Sequence, residues 1–356
     1  MVYIINLIVS CIYLSQIRGK TLISYLIKCI PVILIWTIIV GGQKDVGTDY
    51  PVYLAFFEYP SFVYEPLFCG ITLSLYSSGL KGQDFFFLYA CITALVFFIA
   101  AYSYKLKKIW LLYFLMVVVA TFFNAQMNGL RQCVAVPLVF WAFHEFFESN
   151  SKWKGAILIV IAAGFHYSAL IGIFFIFMDR FLNLTKKVPR ILLLLCCVAP
   201  FITLGEGITE KILSYLPREV VAMSRLSNYM NSQNADQELG LIFRLSKLYF
   251  IPLYWWCVSV YKKMNLSEYE DRLFWLGILS FFLKNILLVN VFIGRFSYYF
   301  WLPSIFPLYF IIRYYQGKKD YGYSVLIMLY CCFIYFYKVI AGTQGYTYDF
   351  YKTIFL

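Results

Sequence analysis

The run FFFLYACITALVFFIAAYSY, residues 85–104, followed at once by Lys105-Leu106-Lys107-Lys108, decides the fold. Twenty residues without a charge match the roughly 30 Å of hydrocarbon that a helix must cross. Lysines at one end only give the span a direction, because short loops rich in Lys and Arg stay on the cytoplasmic side.

Working outward, apolar runs recur at 2–17, 21–40, 109–123, 133–147, 155–178, 190–205, 241–261, 273–293, 296–312 and 322–341, with a weaker one at 66–80. The 356 residues are 62% hydrophobic and 13% charged, with a mean hydropathy of +0.74. This composition excludes a water-soluble globule. The formal charge of +12 is scattered as twos and threes between apolar runs, so it reads as topology signals and excludes a nucleic-acid-binding domain. The ten cysteines lie in or beside apolar runs without Cys-x-x-Cys or Cys/His spacing. They read as small core residues, and neither a metal centre nor a cofactor is expected. The first run leads to Arg18 and Lys20 with no small-residue cleavage site, so it reads as a span.

All runs are taken as helices, since lipid offers no partner to an open strand. If 66–80 crossed the membrane, Lys105, Lys107 and Lys108 would share a side with the acidic segment 41–65, so 66–80 is placed along the interface. The run 155–178 is read as two short helices meeting near Gly164. The cytoplasmic side then collects 17 of the 30 basic residues, among them Lys105, Lys107, Lys108, Lys186, Lys187, Arg190, Lys262, Lys263, Arg313, Lys318 and Lys319. The expectation is an all-α polytopic transmembrane bundle forming one membrane-embedded domain over 1–356. It makes about twelve helical passes, two of them half-length, with both termini outside. Two outer loops, 41–84 and 206–240, are long enough to build a site. The second has apolar residues at roughly helical spacing and reads as an interfacial amphipathic helix or lid.

Polar residues near the hydrocarbon are costly and need a partner or a task. Arg131 and Arg295 each fall where a helix turns back on the outer side. One such arginine is an ordinary snorkelling cation, whereas two favour an anion site. Lys284, near the middle of 273–293, stands eleven residues before Arg295, close to three helical turns if the helix is unbroken. Arg244 opens another helix on the outer side, and these cations can line a groove for a charged lipid head. His166, at the proposed break in 155–178, reads either as a hydrogen-bonded core histidine or as a base. His144 reads as a core histidine. Asp49 follows a glycine turn beside Lys44 and is either a turn aspartate or a catalytic one. Glu65, before Pro66, reads as the cap of the helix it starts.

Outward-facing guanidinium forks suit a lipid diphosphate at headgroup level. No Asp-x-Asp pair stands in the outer segments, so arginine rather than a metal ion is expected to meet the leaving-group charge. The order Gly47-Thr48-Asp49-Tyr50 with Tyr53, Glu65-Pro66, Asn128-Gly129-Leu130-Arg131-Gln132, Phe165-His166-Tyr167-Ser168-Ala169 and Arg295-Phe296-Ser297-Tyr298-Tyr299 resembles the EpsG-like group of Wzy-type polysaccharide polymerases over most of the chain. Where many relatives carry an arginine just before the first motif, this chain has Gln43 and Lys44.

The resemblance implies a bacterial inner-membrane glycosyltransferase working on the periplasmic face and needing no metal. It would transfer a growing glycan from undecaprenyl diphosphate to a lipid-linked repeat unit, to make O-antigen, capsule or exopolysaccharide. On that reading Arg131 and Arg295 bind the diphosphate, and His166 or Asp49 deprotonates or orients the attacking hydroxyl. Gln132, Tyr50, Lys44, Arg244, Lys284 and Tyr299 complete the substrate-binding set. The implied partners are the lipid-linked donor and acceptor and membrane lipids, with a chain-length regulator and a flippase as further associates. A flippase of lipid-linked oligosaccharide, a glycan ligase and a membrane acyltransferase are the alternatives, with Lys284 the best support for the flippase.

Overall fold

The computed structural model describes residues 2–19, 21–148, 152–201, 245–287, 291–340 and 351–355. Every regular element among them is helical, and four runs are long and apolar enough to cross a membrane: Leu22–Gly41, Gln83–Ser103, Tyr167–Lys187 and Tyr321–Val339. The all-helical reading holds at that level, while the twelve-pass count remains a reading of the sequence. The chain divides into two compact units, Met1–Arg180 with Leu308–Leu356, and Phe181–Pro307.

In the first unit α1 (Val2–Ser15), α2 (Leu22–Gly41), α3 (Tyr50–Glu58), α4 (Pro66–Ser77) and α5 (Gln83–Ser103) lead to α6 (Ile109–Val118), α7 (Phe122–Ala125), α8 (Leu130–Glu148) and α9 (Lys152–Phe165). Thr21 starts α2 by accepting the Ser24 N–H on its hydroxyl at 3.3 Å. Helix α2 packs on α5, α5 on α8, and α8 on α9, while α1 packs on α6.

The run 109–123, expected as one span, breaks. Nine of the ten residues of α6 are buried, all but the half-buried Trp110, as a helix apolar on nearly all sides requires, but its ten residues reach only about 15 Å. Thr121 then takes a left-handed conformation, φ 53°, and the chain passes through α7 and a turn into α8. Irregular backbone at such depth is tolerated only inside protein. Here Trp36 Nε1 donates to Gln126 Oε1 at 2.7 Å, Gln126 Nε2 to the Tyr89 carbonyl at 3.2 Å, and Tyr335 Oη to Asn124 Oδ1 at 2.8 Å.

The run 155–178 breaks as expected, near Gly164 and at His166, but the length of its second piece is corrected. The break lies at His166, in extended backbone (φ −158°, ψ 114°), two residues beyond Gly164. The second piece is not half-length. A 3-10 stretch, Tyr167–Phe177, continues into α10 (Met178–Lys187), giving 21 residues.

Two faces of this unit can be told apart by contacts. Tyr3 Oη donates to Met127 Sδ at 3.4 Å, and the rings of Tyr3 and Tyr351 lie 5.8 Å apart. Gln43 and Thr353 form an antiparallel bridge, with the Lys44 N–H donating to the Lys352 carbonyl at 3.0 Å. The tail therefore meets both the N-terminal helix and the first loop. At the lysine-rich end the Lys108 N–H donates to Tyr309 Oη at 3.1 Å and Lys108 Nζ to Gln316 Oε1, near Arg313, Lys318 and Lys319. His144 packs there edge-on to Tyr104, at 5.2 Å, as the core histidine expected.

The second unit contains α11 (Pro189–Val198), α12 (Ile251–Val260), α13 (Glu268–Leu287), α14 (Val291–Ser297) and α15 (Trp301–Ser304). Helices α16 (Phe306–Gly317) and α17 (Tyr321–Tyr335) follow, lying wholly or largely in the first. Helices α12 and α13 pack on α11. Tyr254 stacks on Phe281 at 3.7 Å and donates to the Ser304 carbonyl at 2.6 Å. The expected amphipathic segment 206–240 and Arg244 lie outside the described residues.

Candidate functional site

The site is assembled from the first loop inward. The turn Gln43–Asp49 contains Gly47 at φ +84°, where an added Cβ would stand 2.9 Å from the Met127 carbonyl oxygen and 3.0 Å from Asn128 Oδ1. Only glycine fits both that conformation and that approach. Asn128 Oδ1 in turn accepts the Thr48 hydroxyl and the Asp49 N–H, each at 2.9 Å. The motif containing Asp49 is thus pinned three residues ahead of Arg131.

Arg131 opens α8 and pairs with Glu65. Its Nε donates to Tyr53 Oη at 3.3 Å, and the guanidinium lies 4.0 Å above the Tyr64 ring and 5.8 Å from Phe68. The arginine and carboxylate side chains are only 15% and 7% exposed, so the charges meet in a largely dehydrated, aromatic-walled site. Burial pushes the Tyr53 phenol up, with Arg131 opposing and the Asp49 carboxylate adding to the shift, so the phenol stays protonated at neutral pH.

Glu65 overturns an expectation. It occupies the N-cap position of α4 but makes no side-chain bond to that helix. Its carboxylate takes Arg131 on one oxygen and accepts the Tyr167 N–H, at 3.4 Å, on the other. A paired guanidinium displaces a cap because the buried cation has no other way to be neutralised. Gly164 makes the approach possible, since a Cβ there would lie 2.5 Å from Leu67 on α4. Tyr167 follows His166, whose ring is buried with Nδ1 2.7 Å from Ser168 Oγ.

Four of the five motif stretches therefore converge, those of Asp49, Glu65, Arg131 and His166. Gln132 is buried beside Arg131 in sequence. Tyr50 serves the loop: it stacks on Phe86 at 4.9 Å and donates to Gln83 Oε1 at 2.8 Å, while Gln83 Nε2 donates to the Gln43 carbonyl at 3.0 Å. Lys44 is exposed, its backbone paired with the tail.

The fifth stretch belongs to the second unit, and one expectation about it changes. Gly294 and Arg295 lie within α14, not in a turn. Lys284 lies in α13 and Arg295 in α14, and residues 288–290 between them, on which the expected shared lane depends, lie outside the described residues. Lys284 sits in the last turn of α13, where the helix dipole favours a cation, with Nζ 5.3 Å from the Trp301 ring centroid. Tyr299 is fully buried. Sequence reasoning missed Glu65 and Tyr64 as partners of Arg131. The available signal was an acid flanked by tyrosine and proline in the same outer loop as the first motif.

The folded chain is a helical membrane protein with a buried arginine–carboxylate pair at the meeting point of its loops. It belongs to the EpsG family, whose profile matches residues 25–352. That membership suggests a polymerase-like role in polysaccharide biosynthesis. Neither the curated proteins nor the solved structures give a significant match.

Proposed function

We propose that this protein is a bacterial inner-membrane polymerase. It transfers a growing glycan from undecaprenyl diphosphate to a lipid-linked repeat unit on the face opposite its lysine-rich loops. The observation that carries the reading is the convergence of the stretches bearing Asp49, Glu65, Arg131 and His166 on one buried Glu65–Arg131 pair in a member of the EpsG family.

In the reaction an acceptor hydroxyl oxygen bonds to the anomeric carbon as the bond from that carbon to the diphosphate oxygen breaks. The hydroxyl proton passes to His166 or Asp49, and the lipid diphosphate leaves with the bonding pair. Glu65 and Tyr53 hold Arg131 by Nη1 and Nε, leaving the second Nη for the diphosphate. Gln132, Lys44 and Tyr50, in the same unit as Arg131, hold the remaining substrate. The charge-matched but non-forked Arg131→Lys tests the role, since ammonium cannot reproduce bidentate pairing. Cells carrying it should accumulate single lipid-linked units outside the membrane. Wild-type chain length would refute the role, and accumulation inside would indicate a flippase. Lys284 no longer favours that alternative, because its helix-end position and Trp301 account for it.

A further inference from the structure

The second unit has a cleft of about 500 Å³ that the polymerase reading does not use. It is formed where α10 meets α11 and where α12 runs out toward α13. Lys187, Arg190 and Lys262 line it, with Tyr261 and Trp275. Lys186 lines it too, but is neutralised by Asp271, which also accepts the Tyr261 hydroxyl and, at 2.9 Å, the Trp275 indole N–H. Asp271 is thus committed to the wall, and the three other cations remain exposed and without an ion pair among the described residues.

Two further features say what such a cleft fits. The first-turn N–H groups of α11 open at Arg190 and Ile191, where helix geometry provides no carbonyl behind them and the dipole favours an anion. From the cleft an apolar stripe then runs up α11. Ile191, Leu194, Leu195 and Val198, at helical spacing on one face, are 55%, 55%, 46% and 53% exposed. Cations at the mouth and a lipid-facing stripe above them match a molecule with an anionic head and acyl chains, whereas a soluble phosphate has no use for the stripe. The Tyr and Trp at the boundary fit headgroup depth. These lysines and arginines are those that charge bias assigns to the cytoplasmic side, where anionic lipid is met. We propose that this cleft is a binding site for the phosphate headgroup of an anionic phospholipid, whose chains lie along α11.

The test uses the full-length protein in detergent, titrated with dihexanoyl phosphatidylglycerol, dihexanoyl phosphatidylcholine or inorganic phosphate and read by native mass spectrometry and thermal shift. The phosphatidylglycerol should bind and raise Tm, and the other two should not. The exposed-site variant Lys187→Gln/Arg190→Gln/Lys262→Gln should weaken phosphatidylglycerol by at least about tenfold. Each single variant should weaken it less, so the claim stays open to test if the triple variant folds poorly. Lys187→Arg/Lys262→Arg should retain binding. Equal binding of the two lipids, phosphate binding as well as phosphatidylglycerol, or neutralised variants that bind like wild type would each overturn the proposal.

Discussion

Glu65 and Arg131 stand 66 positions apart in sequence and form a buried ion pair that joins the start of α4 to the start of α8. The pair holds the loops together, and on the proposed function it also orients Arg131 toward the substrate. Removing one partner leaves a buried charge uncompensated, a loss of about 3–5 kcal/mol. Arg131→Ala should therefore lower Tm in detergent and abolish elongation. Glu65→Gln/Arg131→Gln, with no charge left to strand, should recover much of that stability without recovering elongation. Elongation restored along with stability would assign the pair a structural role alone.

Tyr53 accepts the Arg131 Nε–H inside the fold. Tyr53→Phe leaves that donor unpaired and should cost about 1 kcal/mol of stability. Chain length, read on gels, should shorten as Arg131 loses its orientation. An unchanged length distribution would show that Glu65 alone positions the guanidinium.

Gly47 is held at φ +84° against Met127 and Asn128. Gly47→Ala should destabilise the loop by about 1–2 kcal/mol from conformation alone. Limited proteolysis should then cut within 41–65 faster than in wild type. An unchanged cutting rate would mean that the turn is not what fixes this loop.

The Gln43–Thr353 bridge puts the tail and the first loop on one face. A reporter active only in the cytoplasm should be silent both after Leu356 and when inserted at the exposed Ser61–Phe62. Disagreement between the two sites would contradict the bridge, and activity at both would invert the orientation inferred from charge.

The bundle was legible in the sequence because uncharged runs such as 85–104 end at lysines, a pattern lipid imposes locally. The break at Thr121 was not legible, because what tolerates it is tertiary: Trp36 and Tyr89 satisfy Gln126 from two other helices. Glu65 was misread for the same reason. Glu-Pro at a helix start signals a cap, and only the packing of Leu67 against Gly164 brings the carboxylate within reach of Arg131 and Tyr167. Arg295 was misread because Gly294 marks a turn in isolation, yet both residues continue α14. The order of the motifs did point to Asp49, Arg131 and His166, and their stretches are those that converge.

His166 and Asp49 remain distinct candidates for the base. Elongation retained in His166→Ala and lost in Asp49→Asn would assign the proton to Asp49, and the reverse pattern would assign it to His166.

The central claim is tested most directly by incubating the purified protein with a synthetic polyprenyl-diphosphate oligosaccharide, with and without chelator, beside Arg131→Lys. The account predicts a glycan ladder from the wild-type protein under both conditions and single units from the variant. No ladder from the wild type, or an equal ladder from Arg131→Lys, would contradict it.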